Sequence, residues 1–123
     1  MVTRYISGII PVPPSDFSRS YQPTLEIAKG VGEKIGKTVL HRYLSKIKQT
    51  NELKSTSDPN ERKAILKDAF KVNYDWMNGK KVLLFDDLYR SGSTLNEITK
   101  TLYNQGGVDK VYVLTITKTR SNR

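Results

Sequence analysis

Asp86 and Asp87 close an apolar run, Val82-Leu83-Leu84-Phe85, and are followed by a loop of small residues, Ser91-Gly92-Ser93-Thr94. The run reads as a strand buried on both faces that ends abruptly at the acidic pair. Leu95, Ile98 and Leu102 then recur on one helical face, so the loop opens a helix. Ligands of open parallel sheets bind beyond the carboxyl ends of strands, and the first turn of a helix offers free N–H groups to anions. A phosphate would sit on the loop. The carboxylates beside it would accept hydrogen bonds from sugar hydroxyls or meet a hydrated Mg²⁺ indirectly, since that ion takes oxygen ligands. The order of residues therefore points to a phosphorylated sugar.

The rest of the chain supplies elements that would position this stretch. Tyr5 to Val12, with Ile6, Ile9 and Ile10, predicts a first strand ending in a rigid Pro-Val-Pro-Pro-Ser turn. Leu25, Ala28, Val31 and Ile35 predict a helix from Thr24 to Gly36 with Thr24 as N-cap. Gly36-Lys37-Thr38 is not the end of a P-loop, because Val31 stands where the earlier glycine is required. Gly30, Gly32 and Gly36 likewise miss the dinucleotide-binding spacing. Thr38 to Leu40 reads as a short second strand, with the lone His41 at its end in a structural role. Arg42 to Thr56, rich in lysine and amide side chains, shows no periodicity and is expected to form an extended, mobile basic arm or hairpin. Asp58-Pro59-Asn60-Glu61 signals a helix start, with Asp58 as N-cap, Pro59 at N1, Glu61 returning in capping-box style, and Ile65, Leu66, Ala69 and Phe70 on its buried face. Lys71 to Tyr74 then returns as a strand, and Asn78-Gly79 turns into the central one. After the helix from Leu95 to Tyr103, Gly106-Gly107 supplies a stop and Val111 to Thr117 a further strand. The expected class is α/β: a mostly parallel sheet flanked by helices, in one domain over residues 1–123, with a basic tail from Lys118.

Composition narrows the class of function. The chain has no cysteine, which excludes a disulfide framework and any cysteine-based zinc site, and fits a reducing cytoplasm. It lacks an apolar run of about 20 residues and a signal-peptide core, so a soluble, cytoplasmic protein without membrane contact is expected. The formal charge of +9, from 21 basic and 12 acidic residues, favours a polyanion, whether nucleic acid or a diphosphate-bearing small molecule.

The stretch from Val82 to Thr94 resembles the phosphoribosyl-diphosphate motif of type I phosphoribosyltransferases. Further similarity, at Ile10-Pro11-Val12-Pro13, Arg19, Glu26, Ala28, Lys46 to Lys54, Glu61-Arg62 and Ala69-Phe70-Lys71-Val72, extends to the ComF-like, competence-associated branch of that family. The resemblance implies a Rossmann-like fold with a flexible basic loop or hairpin. It also implies that Asp86 and Asp87 hold the ribose 2- and 3-hydroxyls and, indirectly, the metal. Arg90, Ser91, Gly92, Ser93 and Thr94 would wrap the 5-phosphate, while Pro13, Pro14, Ser15 and Arg19 fall where the family binds diphosphate. Lys46, Lys48 and Arg62 would be the cations of the closing loop. The implied reaction is displacement of diphosphate from C1 of the ribose by a nitrogenous base, with Mg²⁺ as cofactor. A homodimer is among the family's common states.

Arg90 stands where oxopurine-using members carry an aspartate, so hypoxanthine or guanine is not the expected acceptor. No hood that would select a base is expected either. A reading of a different class is a basic accessory domain for single-stranded DNA in uptake or repair. Its motivation is the +9 charge, Lys46, Lys48 and Lys54, and the family's association.

Overall fold

The computed structural model describes residues 5–13, 23–48, 55–89 and 92–118, with backbone alone for residues 23, 87–89 and 116–118. Its main sheet holds β1 (Ile6–Pro11), β4 (Lys81–Tyr89) and β5 (Lys110–Lys118) in the order β1-β4-β5. Both pairings are parallel. β2 (Leu44–Lys46) and β3 (Phe70–Val72) form a separate antiparallel pair. The helices are α1 (Pro23–Ile35), α2 (Pro59–Leu66) and α3 (Gly92–Gly106). The α/β expectation holds at this level.

Alternation along β4 builds the core. Leu83 and Phe85 pack with Ile6, Ile9 and Ala28, so α1 covers one face. Val82 and Leu84 pack on the other face with Leu95, Ile98 and Leu102 of α3 and with Tyr43, Leu44, Leu66 and Phe70. All four β4 side chains are buried, which at about 1.5–3 kcal/mol each comes to roughly 6–12 kcal/mol, as much as the whole net stability of a typical domain. Burial on both faces is why this strand reads as a continuous apolar run.

Several expected boundaries move, each for a local reason. The central strand continues through Asp86 and Asp87 to Tyr89 because β5 keeps pairing with it, as far as Tyr89 opposite Lys118. Thr38 to Leu40 contributes a parallel bridge of Val39 to Ile9 rather than a full strand. Thr24 lies inside the first turn of α1, which starts at Pro23. Gly32 allows the chain leaving α1 to fold back. A Cβ there would meet the Lys37 carbonyl oxygen at 2.7 Å, where the Lys37 N–H instead bonds the Gly32 carbonyl at 2.9 Å.

The stretch from Arg42 onward is the larger correction. Tyr43 and Leu44 are fully or almost fully buried in the α3-side core, and β2 pairs with β3 from Leu44 opposite Val72 to Lys46 opposite Phe70. This segment is therefore anchored, and α2 is an excursion between two paired strands. Residues 49–54, including Lys54, lie outside the described residues. Asp58 caps α2 as expected, its Oδ2 accepting the Glu61 N–H at 3.2 Å. Glu61 turns instead to the Thr56 hydroxyl, which donates to its carboxylate. α2 ends at Leu66, so Ala69 and Phe70 are buried from β3 and its approach rather than from the helix.

Candidate ligand site at the carboxyl end of the parallel sheet

β1 leaves the sheet earlier than its neighbours. Its last register pair is Pro11 opposite Phe85, and the Val12 N–H donates to the Phe85 carbonyl at 2.8 Å. Proline removes a ladder donor at position 11 and again at 13, which ends the pairing. β4 and β5 run on without it, with Asp86 opposite Thr115. Asp86 is half-buried and shares the register parity of Val82 and Leu84, on the α3 side of the sheet. A carboxylate is thus set at the step where one strand stops and the next continues.

α3 follows β4 directly and starts at Gly92, so Ser93 and Thr94 occupy its first turn. All three are half-buried. The first amides of a helix lack intrahelical acceptors and carry the positive end of its dipole. α1 has Glu26 in its first turn and α2 has Glu61 together with its Asp58 cap, whereas the first turn of α3 holds no acid. Its positive end is not answered from within the turn. Pro13, half-buried, follows the end of β1 at the same end of the sheet.

Asp86, Gly92, Ser93, Thr94 and Pro13 are thus brought to one end of the sheet. The Asp87 backbone continues β4 there. Pro14, Ser15, Arg19, Arg90 and Ser91 lie outside the described residues. The three cations assigned to the closing loop instead occupy the layer built from β2, β3 and α2. Lys46 is half-buried in β2, and burial pulls its ammonium below the ordinary value. Lys48 donates from Nζ to the Lys67 carbonyl at 3.1 Å and the Ala64 carbonyl at 3.5 Å, closing the carboxyl end of α2 where a cation suits the dipole. Arg62 donates to the Thr56 carbonyl at 3.1 Å, tying α2 to the turn before it.

A groove of about 470 Å³ runs elsewhere, along the second half of α1 past Lys29, Glu33, Lys37 and His41. It mixes charges of both signs. The strand end has the more coherent chemistry. Two features had no forecast from the sequence. Glu97 is a buried carboxylate on α3 whose Oε2 accepts the Asp68 N–H at 3.3 Å, holding the left-handed residue (φ 58°) between α2 and β3. Tyr74 and Trp76 form an exposed stacked pair. The alternation of aromatic residues at 74 and 76 was the available signal for the second.

Comparison with protein-family models, with curated proteins and with solved structures finds no match to this chain. The functional reading rests on the residues and their arrangement.

Proposed function

We propose that this chain binds 5-phosphoribosyl 1-diphosphate with Mg²⁺ and transfers the phosphoribosyl group to a nitrogenous base, in a fold of the type I phosphoribosyltransferase kind. The observation that carries the reading is the β4–α3 junction. A half-buried Asp86 lies just past the end of β1, and α3 begins nearby with Gly92, Ser93 and Thr94 and no acid in its first turn.

In this reading Asp86 and Asp87 accept hydrogen bonds from the ribose 2- and 3-hydroxyls. The amides of Gly92 to Thr94, the hydroxyls of Ser91, Ser93 and Thr94, and Arg90 donate to the 5-phosphate. Pro13 to Ser15 and Arg19 line the diphosphate side. Among the described residues no group of three or more histidines, aspartates and glutamates comes together as a metal cage. Mg²⁺ keeps several of its waters and is carried mainly by substrate phosphates, and Asp86 and Asp87 would be the carboxylates near it. When bound, the ion supplies charge neutralisation for the departing diphosphate. The base nitrogen donates its lone pair to C1, the C1–oxygen bond breaks, and diphosphate leaves with the electron pair. The protein orients these groups and excludes water. Lys48 and Arg62 are not required as transition-state cations in this version, since each has a structural partner, whereas Lys46 keeps its proposed role.

No described helix is long and apolar enough to cross a membrane. A cytoplasmic, cysteine-free enzyme acting as a homodimer is the setting proposed with this activity. Calorimetric titration tests binding. The wild-type chain should take up the sugar diphosphate with Mg²⁺, and Asp86→Asn should weaken binding by about 10- to 100-fold, as expected when a charged hydrogen-bond acceptor is lost. Equal affinity in the two proteins would remove Asp86 from the site.

A further inference from the structure

The turn between β3 and β4 carries a flat aromatic surface that the ribose-phosphate reading does not use. The rings of Tyr74 and Trp76 stack at 3.9 Å between centroids with 3° between their planes. Each covers one face of the other, yet Tyr74 is 41% and Trp76 51% exposed. The buried Tyr43 lies against Trp76 at 6.4 Å, fixing the pair to the core. Hydrogen bonds from the Gly79 N–H to the Gly107 carbonyl and from the Asp109 N–H to the Lys80 carbonyl hold this turn at the amino end of β4 and β5. Asp86 is further along β4 by about 16 Å of strand, counted from Lys81 at about 3.3 Å per residue. The aromatic shelf and the candidate sugar site are therefore at opposite ends of the same strand.

The neighbours of the rings indicate what would stack on them. Between Lys71 and Lys80 the exposed side chains are two lysines, two asparagines, Asp75 and the two rings, with no exposed aliphatic residue. Asn73 Nδ2 donates to the Arg42 carbonyl at 2.9 Å, which brings the exposed Arg42 turn beside the shelf. Two amides and two lysines against the one carboxylate of Asp75 around a flat π surface suit unstacked bases and their phosphates. The chain's net charge of +9 has the matching sign. We propose that the Tyr74–Trp76 shelf, flanked by Arg42, Lys71 and Lys80, stacks the bases of single-stranded nucleic acid. This locates such binding away from Lys46, which is half-buried, and Lys48, whose ammonium closes α2.

Trp76 is the only tryptophan in the sequence, so its emission reports on the shelf directly. Titration of the full chain with oligothymidylate should quench that emission to saturation. Tyr74→Ala should weaken the affinity roughly tenfold, the scale of one lost base–aromatic stack. Arg42→Ala should lower the slope of log affinity against log salt by about 0.7, one single-strand phosphate contact. Both side chains are exposed, and unchanged circular dichroism and melting would confirm that the variants fold. Asp86→Asn should leave the quenching intact, which separates this site from the sugar site. Absence of quenching, equal quenching by duplex of the same length or by inorganic polyphosphate, or unchanged affinity in Tyr74→Ala would each overturn the proposal. So would a change in Trp76 emission with protein concentration alone, accompanied by dimerisation in sedimentation, because the shelf would then be covered by a second copy.

Discussion

Tyr43 shows how one residue links the core to the aromatic shelf. Its ring is fully buried among Leu44, Phe70 and Leu102 and supports Trp76 from beneath, but its hydroxyl finds no hydrogen-bond partner among the described residues. Burial and, behind it, the charge of Asp75 raise its pKa above the ordinary 10.0. The unfolded chain therefore gives up this proton first, and the associated stability is lost as pH rises from about 10 through the folded value. Tyr43→Phe removes an unsatisfied polar group as well as the titration. Thermal unfolding should show it as stable as wild type at pH 7 or more stable by about 1 kcal/mol, and less sensitive to pH above 10. A loss of more than about 1 kcal/mol at pH 7 would show that the hydroxyl makes a bond worth keeping. Lys46 acts in the opposite sense, since burial penalises its charged form and stability gains as pH rises through its lowered pKa towards 10.5.

At the scale of elements, the helices and the central strand were legible because their periodicity and capping chemistry are local. Leu95, Ile98 and Leu102 are buried as their spacing indicates, and Asp58 caps α2 through its own side chain. The extent of β4 was not legible. Two aspartates look like a strand end, but pairing with β5 is a non-local property that carries the backbone on to Tyr89. The anchoring of Tyr43 and Leu44 was hidden for a similar reason, because β2 is only three residues long and its partner β3 lies beyond the whole of α2. Gly32 carries a low intrinsic helix propensity, yet its lack of a side chain admits the returning chain at Lys37 and Val39. Gly32→Ala should consequently destabilise the protein by about 1–3 kcal/mol, because a Cβ would fall 2.7 Å from a backbone oxygen. Chemical denaturation measures this, and a gain in stability, as helix propensity alone would give, would contradict the close approach.

The whole molecule places three parallel strands between α1 on one side and α3 with the β2–β3 layer on the other. Asp86 stands at the carboxyl end of β4 and the aromatic shelf at the other. Part of the candidate site was readable from sequence because strand, carboxylates, small loop and helix are consecutive between Lys81 and Thr94. The shelf depends on a ring-to-ring geometry that residue types do not fix. The described cations likewise did not announce their structural partners, since a lysine over a helix end and a lysine in a closing loop have the same sequence signature. The central claim is that the β4–α3 junction holds a ribose phosphate. The most direct test is a crystal structure of the chain with 5-phosphoribosyl 1-diphosphate and Mg²⁺. The account predicts the 5-phosphate on the amides of Gly92 to Thr94 and the ribose hydroxyls on Asp86. Ligand bound at another surface, or no ligand at saturating concentration, would contradict it.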